Sequence, residues 1–305
     1  MDITPSCTWR DDGAVSSGNQ RAKRHHLVPE AYLMRWAEGG SRVHAVVRDD
    51  LARTFPTHPR NLTVNNNFFT VDTAAGPSDI IEREYLDPLD GAADKAIKAI
   101  TDGIWPLVGP HRHALARFIA VQQFRSNRGR ERRSDTMTRV TQMAAKMRMV
   151  QPGGADEIAA ARAMTTARVA ETPNRMAKLL PIAEEMVPGV LGMQWTLIEA
   201  GAGEFLTCDH PILLVPRRDH SRFYGVGLFT ADHLALPLSP RLLLKARIAE
   251  DAQGGLVPAD PRGDRRSRAP ALSVRAYNCV VAAQAERTII MRSPDQWPIP
   301  NREPS

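Results

Sequence analysis

The sequence predicts an α+β fold in which a helical middle packs on a mainly antiparallel C-terminal sheet, with short strands near the N-terminus. Two observations lead to this prediction. Apolar residues recur at helical spacing over 81–100 and again over 115–121. After Pro188-Gly189 the pattern changes to short apolar runs separated by turn residues, which is typical of strands.

The N-terminal part is expected to begin with a polar, mobile arm of residues 1–22. Pro29 fits the first turn of a short helix, where its missing N–H does no harm. Residues 42–48 are predicted to form a strand. The Asn-rich segment 61–71 predicts a turn that leads into another strand, because Asn tolerates left-handed backbone.

The helical middle is predicted to contain several separate helices. Within 78–100 one helix should end and another begin at Asp87-Pro88, since Asp is a good N-cap and Pro fits the first helical position. Pro110 should begin the next helix. Further helices are predicted over 128–150, 155–170 and 173–186.

The C-terminal part is predicted to be mainly β. Its candidate strands are 193–200, 204–207, 212–215, 224–229 and 242–249. Residues 251–268 are expected to form a flexible polar loop, before a helix over 270–285 and a strand over 287–291. Because nothing inside resembles a long linker, residues 23–292 should form one domain, followed by a Pro-rich tail of residues 293–305.

The chain is basic, with a net charge of +6 and a pI near 9.5. Its excess of Arg is concentrated in the segment 111–150, which could contact nucleic acid or a small molecule, or could simply be a solvated helix face. No apolar run is long enough to cross a membrane, and the N-terminus lacks the apolar core of a secretory signal. Three widely spaced cysteines then favour a reducing cytoplasm.

The doubled histidine His25-His26 is the most informative motif. Imidazole binds divalent metals and serves as a general base. Adjacent side chains in a strand or loop diverge, so that one can enter a site while the other orients it. The alternative is that one histidine caps the following helix and the other is exposed.

Gln122 and Arg125 continue an apolar helical stripe that includes Leu115 and Phe118. A buried Arg is costly unless it is paired, usually with a carboxylate or a phosphate. We therefore expect these two side chains either to line a pocket or to form a structural ion pair, with Glu82 as the candidate partner.

Carboxylates supply the remaining candidates. Asp90 and Asp94 are four residues apart, a spacing that bridges metals in helical bundles but causes only slight repulsion on an exposed face. Glu82 lies beside an apolar stripe and is preferred, because the two Asp residues have no histidine attached to them. Asp209 lies in the corner Thr207-Cys208-Asp209-His210-Pro211, between two short apolar runs. It could bind a metal or accept a proton, or it could cap its own backbone in an Asx turn.

Taken in order, these motifs resemble the bacterial domain of unknown function 4238 family. The resemblance rests on His-His-x-x-Pro at 25–29, Gln-x-x-Arg at 122–125 and Thr-x-Asp-x-Pro at 207–211. It implies one domain of this size and no assigned activity. It also implies that seven residues belong together: His25, His26, Asn61, Glu82, Gln122, Arg125 and Asp209. Asp90 stands where a second Glu is often found, which puts a role for that acid in doubt.

We therefore hypothesise a metal-assisted hydrolase that acts on a phosphodiester. The roles are assigned as follows: His25, His26 and Asp209 hold a divalent metal ion, Glu82 is the general base or a further ligand, Gln122 orients the substrate or water, Arg125 stabilises the developing oxyanion or grips phosphate, and Asn61 contributes to substrate binding.

Two other hypotheses stay open. The same residues could recognise a nucleotide-like or acidic small molecule without turnover, which would make the chain a binding protein. Alternatively, they could form a buried polar network that only fixes the packing of the helices on the sheet.

Overall fold

The computed structural model of the chain describes residues 24–74, 76–125, 175–217, 226–250 and 256–296. The predicted arm 1–22 and the predicted helices over 128–150 and 155–170 lie outside the described residues.

The described residues form fourteen β-strands and five α-helices. The helices are α1 (Glu30–Leu33), α2 (Asp87–Thr101), α3 (Gly109–Gln122), α4 (Arg175–Leu191) and α5 (Ala271–Gln284). The strands are β1 (Arg24–His26), β2 (Val43–Val47), β3 (Asp50–Thr57), β4 (Val64–Asn66), β5 (Val71–Thr73), β6 (Gly76–Ser78), β7 (Met193–Ala200), β8 (Thr207–Cys208), β9 (Leu213–Val215), β10 (His233–Ser239), β11 (Leu242–Glu250), β12 (Leu256–Val257), β13 (Arg265–Ala269) and β14 (Thr288–Met291). A π-helical turn, Ile81–Leu86, leads directly into α2.

Two sheets organise the molecule. The larger has the strand order β13-β7-β11-β10-β9, with β12 paired to β11, and β13 is its parallel member. The smaller has the order β3-β2-β14-β8 and is antiparallel. It joins N-terminal and C-terminal parts of the chain, because β14 pairs with β2. The ladders β1-β4 and β5-β6 are separate. The predicted α+β class is confirmed.

Alternate residues of β7 pack into two different cores, because side chains along a strand point to opposite faces. Trp195 and Leu197 belong to a first core, together with residues of α2, α3, α4 and the N-terminal segment. Ile198 and Ala200 belong to a second core with residues of α5. The larger sheet therefore separates α2, α3 and α4 on one face from α5 on the other.

The predicted boundary at Asp87-Pro88 is confirmed in part: the π-helical turn ends at Leu86 and α2 begins at Asp87, but Asp87 is itself helical and is not the N-cap. The backbone stays helical from the π-helical turn into α2, and the Asp87 N–H donates to the carbonyl of Glu82, five residues back. Such a wider turn allows Pro88, which has no N–H to donate, to follow without ending the helix. The wider π-helical turn thus accommodates Pro88, which has no N–H to donate.

Several strand predictions also need correction. The strand predicted over 204–207 is reduced to β8, and the described part of the strand predicted over 224–229, residues 226–229, is not a strand but leads into a turn over 228–230. Residues 265–269, expected to belong to a flexible loop, form β13 along the edge of β7. The sequence of β13, Arg-Arg-Ser-Arg-Ala, has no apolar alternation, so the strand depends on pairing with a distant segment.

The strand β10 was not predicted, although it lies between β11 and β9. It contains Pro237, and Pro is rare inside strands because it cannot donate to the ladder. The pairing with β9 ends at Ala235, and the register with β11 shifts between Pro237 and Ser239. Pro237 is thus tolerated at an irregular part of the sheet.

Within the described ranges, every helix is too short or too polar to cross a membrane.

Candidate functional site

Arg125 connects three elements just beyond the end of α3. Its Nη1 donates to Oδ1 of Asp90 on α2 at 2.6 Å, and its Nη2 donates to the carbonyl of His26 on β1 at 2.9 Å. The guanidinium carbon lies 5.5 Å from the centre of the Phe69 ring. The Arg125 side chain is only 1% exposed, whereas that of Asp90 is 17% exposed. We refer to Arg125, Asp90, Glu82, His26 and Gln122 as the Arg125 cluster.

Gln122 reinforces the same contact, because it lies one helical turn before Arg125. Its Nε2 donates to the carbonyl of Leu27 at 2.8 Å, so two side chains of one helix end hold successive carbonyls of the His-His segment. Oε1 of Gln122 and Nε of Arg125 are buried and make no hydrogen bond within the described part of the chain. Both predicted positions are therefore buried and polar, as expected from the stripe.

His25 points into the core. Its Nδ1 accepts the backbone N–H of Phe69 at 2.7 Å, and its ring stacks on the Phe69 ring with centroids 5.5 Å apart. Because Nδ1 accepts a hydrogen bond, the ring is neutral and carries its proton on Nε2. Nδ1 is not available to a metal ion in this arrangement, and His25 orders the backbone beside the cluster.

His26 lies on the opposite face of β1 and is half-buried. Its Nε2 lies 3.2 Å from the carbonyl of Arg60, to which it donates, and this fixes the orientation of the ring. The neighbouring Asn61 is exposed at the end of a short 3-10 turn, Pro59–Asn61. The two histidines thus diverge as predicted, and His26 is the one associated with the cluster.

Among the predicted site residues, Glu82 differs most clearly from an ordinary surface carboxyl. Burial raises its pKa to about 7, with Arg125 opposing the shift and Asp87 and Asp90 adding to it. Its Oε2 is buried and makes no hydrogen bond within the described residues. Glu82 lies in the π-helical turn, a distortion that is frequent at functional sites.

Asp90, rather than Glu82, is the direct partner of Arg125. Burial raises the pKa of Asp90 above its ordinary value, although Arg125 opposes this, and His26 is close enough to lower that pKa as well. From the sequence, Asp90 ranked below Glu82 because Asp90 and Asp94 have no histidine beside them to complete a metal site. The neighbouring Asp94 does bond elsewhere, to Arg35 at 2.5 Å. The position of Asp90 beside the apolar Leu89 was the signal that could have identified it.

Asp209 belongs to a different part of the molecule. Its two carboxylate oxygens accept the backbone N–H groups of Glu286, Arg287 and Thr288 at 2.8, 2.7 and 3.0 Å. Burial raises its pKa, and these three bonds oppose the rise. Asp209 therefore caps the backbone at the start of β14. This resembles the Asx turn considered as an alternative, except that the capped N–H groups belong to a distant segment of the chain.

The proposed ligand set of His25, His26 and Asp209 is consequently not brought together. Among the described residues, no three His, Cys, Asp or Glu side chains lie close enough to hold a metal ion. The physical reason is that the donor atoms of Asp209 and Nδ1 of His25 are already used by backbone amides.

Other residues of the motifs fasten the N-terminal helix to the C-terminal sheets. The Tyr32 hydroxyl donates to the carbonyl of Pro237 at 2.5 Å and lies 3.0 Å from Oγ1 of Thr207. Nε1 of Trp36 donates to the carbonyl of Phe205 at 2.8 Å. Burial strongly raises the pKa of Tyr32. The Thr-x-Asp-x-Pro corner is thus a structural junction.

In the described part of the basic segment 111–150, the Arg side chains form ion pairs with acidic residues. Arg112 pairs with Asp264, and Nε of Arg117 donates to Oε1 of Glu184 at 2.9 Å. Arg125 is also paired, as shown above. Residues 126–150, which carry most of the predicted positive charge, lie outside the described residues.

The electrostatic character of the Arg125 cluster is acidic. Asp79, Asp87 and Asp90 all raise the pKa of Glu82, against the single opposing charge of Arg125. Both terminal nitrogens of Arg125 are already bonded. The arrangement therefore suits proton transfer and the binding of cations better than the grip on phosphate that was expected of Arg125.

The fold and this cluster define an α+β protein with a largely buried group of ionisable side chains between a helical layer and an N-terminal strand. The chain belongs to the family described as Protein of unknown function (DUF4238), whose family model matches residues 24–295. The resemblance inferred from the motifs is thereby confirmed. Comparison with curated proteins and with solved structures gave no match.

Proposed function

We propose that the protein is a hydrolase in which Glu82 acts as the general base. The observation that carries the proposal is the half-buried Glu82 carboxyl, with a pKa of about 7 and one buried oxygen that has no hydrogen-bond partner among the described residues. A group with this pKa is half ionised at neutral pH, so it can take a proton from water and later return it. Perturbed carboxyls of this kind are concentrated at active sites.

In the proposed reaction, Glu82 removes a proton from a water molecule as the water oxygen attacks the phosphorus of a phosphodiester. The bond to the leaving oxygen then breaks, and that oxygen receives the proton held by Glu82. Arg125 positions this chemistry by holding Asp90 and the His26 carbonyl. His26, whose ring is fixed by the Arg60 carbonyl, is the second candidate for proton transfer.

The metal-assisted part of the hypothesis also remains a proposal, in a changed form. The acidic cluster suits an ion such as Mg²⁺ or Mn²⁺, because Mg²⁺ sites commonly use one or two carboxylates and complete their coordination with water and substrate phosphates. Asp90 is the candidate carboxylate, since it is partly exposed. A site of this kind does not require the His25, His26 and Asp209 trio.

The test compares Glu82→Gln with Glu84→Gln, which changes an exposed acid of the same π-helical turn. Each purified protein is assayed on phosphodiester, carboxyl ester and amide model substrates, with and without Mg²⁺, Mn²⁺ or Zn²⁺. We expect turnover of a phosphodiester by the wild type and by Glu84→Gln, and a loss of about 10²- to 10⁴-fold in Glu82→Gln. Equal rates in both variants, or no turnover by the wild type, would overturn the proposal.

A second candidate function is ligand binding without turnover. It is favoured by Oε1 of Gln122 and Nε of Arg125, two buried atoms without a hydrogen-bond partner in the described part of the chain, which a ligand would satisfy. In a site without a metal ion, the surrounding carboxylates disfavour the acidic ligand considered from the sequence, so a neutral or cationic molecule fits better there. The anionic phosphodiester of the first proposal depends on the divalent ion to offset its charge. Its test is thermal stabilisation by a compound that is recovered unchanged.

A cytoplasmic location is part of the same proposal. Among the described residues, Cys279 is an exposed free thiol. Free thiols are what a reducing compartment maintains. Oxidation of Cys279 in the isolated protein, followed by mass spectrometry, would show how readily the exposed thiol reacts.

A further inference from the structure

Part of one sheet face is left uncovered by α5. That helix packs on Ile198 and Ala200 of β7 through the second core. Thr196, two residues earlier on the same face, is only half-buried. The uncovered area continues onto β11 and β13, because Thr196 pairs with Lys245 on one side and with Arg265 on the other.

Three cations lie on this area: Lys245, Arg247 and Arg265. Lys245 and Arg247 are two residues apart on β11 and therefore share a face, at a separation of about 7 Å along the strand. Lys245 and Arg265 lie on either side of Thr196, about 10 Å apart across two strand spacings. We call Lys245, Arg247, Arg265 and Thr196 the basic sheet face.

None of these three cations forms an ion pair or a side-chain hydrogen bond with another described residue, unlike Arg112 and Arg117 of α3. Like charges at this spacing repel one another, and Asp232 offsets only part of this repulsion at Lys245 and Arg247. Binding of an anion therefore lowers the free energy of the face.

One edge of the basic sheet face carries His233 and Tyr277. Nδ1 of His233 lies 2.6 Å from Oδ2 of Asp232, and its Nε2 lies 3.4 Å from the Tyr277 hydroxyl. The pKa of Asp232 is lowered first by its hydrogen bond to His233, and Arg247 and Lys245 lower it further. The pairing of β10 with β11, in which Leu234 is opposite Ala246 and Ala235 is opposite Lys245, places His233 beside the cations of β11. The edge therefore adds an aromatic ring and a hydroxyl to the charged area.

We propose that the basic sheet face binds a single-stranded nucleic acid. Spaced Lys and Arg side chains neutralise backbone phosphates, while hydroxyl and aromatic groups suit sugars and bases. The net charge of +6 on the chain adds a long-range attraction for polyanions. A lipid surface is a poorer fit, because none of the large exposed apolar side chains lies on β7, β11 or β13.

This face is separate from the Arg125 cluster. The cluster lies with α2 and α3 on the side of the first core, whereas the basic sheet face shares its side with α5. The inference thus goes beyond the proposed hydrolase and does not depend on it. Glu82→Gln should bind nucleic acid as the wild type does, whatever its effect on turnover.

The test is fluorescence anisotropy with labelled single-stranded DNA and RNA 20-mers, at a series of salt concentrations. Three phosphate contacts predict that log K falls with log[salt] with a slope of about −2. The variant Lys245→Ala/Arg247→Ala should lose about 1.4 of that slope and about 25-fold in affinity at 0.1 M salt. Arg265→Ala alone should lose about half as much slope.

The matched control is Arg53→Ala/Lys95→Ala, which removes two exposed cations from β3 and α2. It should bind as the wild type does, and thermal unfolding confirms that each variant is folded. Wild-type binding by Lys245→Ala/Arg247→Ala would overturn the proposal, because the nucleic acid would then bind elsewhere. So would the absence of oligonucleotide binding at low salt, or equally tight binding of polyglutamate or anionic vesicles.

Discussion

Arg125 and Asp90 form a direct ion pair, with Nη1 and Oδ1 2.6 Å apart, and the Arg125 side chain is almost completely buried. The same guanidinium holds the carbonyl of His26. Arg125 thereby joins α2, the end of α3 and β1 in a single set of hydrogen bonds. An ion pair of this kind contributes to stability only while both partners are present, because each charge alone would be costly in the interior.

Removing one partner of this pair should therefore destabilise the protein strongly. We expect Arg125→Met to lower the free energy of unfolding by about 3–5 kcal/mol, since Asp90 is left without its partner. The double variant Arg125→Met/Asp90→Leu should recover part of that loss. Urea unfolding measures both, with Arg83→Met as the control because Arg83 is exposed. An Arg125→Met protein with wild-type stability would contradict the buried pair.

The stability of the protein should depend on the ionisation of Glu82. Its pKa of about 7 lies above the ordinary 4.5, so the folded protein holds this proton more tightly than the unfolded chain does. The stabilisation is present below pH 4.5 and is lost as the pH rises through 7. Glu82→Gln should remove this dependence and stabilise the protein at pH 8 by about 2 kcal/mol, a value reduced for solvent screening.

Unfolding experiments at pH 5 and pH 8 test this difference. Glu84→Gln is the control, because this exposed acid lies in the same turn. If Glu82→Gln leaves the pH profile of the wild type unchanged, Glu82 titrates as an ordinary carboxyl.

The two histidines should respond differently to substitution. His25→Leu leaves the buried N–H of Phe69 without its acceptor, so we expect a loss of about 1–3 kcal/mol in unfolding free energy. His26→Ala should cost less than about 1 kcal/mol, because its single side-chain bond is exposed. If the proposed hydrolase is correct, His26→Ala should also reduce turnover. Equal destabilisation by both changes would refute this division of roles.

Asp209 should prove structural. Asp209→Ala leaves three backbone N–H groups at the start of β14 without an acceptor, which should cost about 3 kcal/mol or more. Asp102→Ala, at an exposed pair with Lys98, should change stability by less than about 0.5 kcal/mol. Isothermal titration with Mn²⁺ should give the same affinity for both folded variants. A loss of affinity in Asp209→Ala alone would restore Asp209 as a metal ligand.

Local sequence patterns predicted those helices and strands whose own residues favour that type of secondary structure. Met193–Ala200 was predicted with the same bounds as β7, and α5 and β14 were predicted to within a few residues. The two strands are largely apolar runs of strand length, and α5 begins directly after Pro270. By contrast, β13 consists largely of Arg, and β10 contains Pro237, so neither carries a local strand pattern.

The candidate site also contains residues that local patterns predicted and residues whose roles depend on distant contacts. Gln122 and Arg125 were predicted as buried polar residues because they continue an apolar stripe of one helix, and Glu82 was selected by its position beside another. From the sequence, Asp209 was an equally good candidate for the site. Its carboxylate instead accepts hydrogen bonds from backbone amides more than seventy residues away. A residue type alone does not reveal which distant groups its donor and acceptor atoms will meet.

The sequence by itself determined the α+β class, the family, and the short set of polar residues that do not fit the apolar pattern of their helices. The tertiary structure decided which of them meet: Asp90 rather than Glu82 pairs with Arg125, and Asp209 lies apart from both. The physical reason is that burial and amphipathic periodicity are local properties of a chain. Hydrogen bonds, ion pairs and pKa shifts depend instead on distances between segments, and packing alone sets those distances.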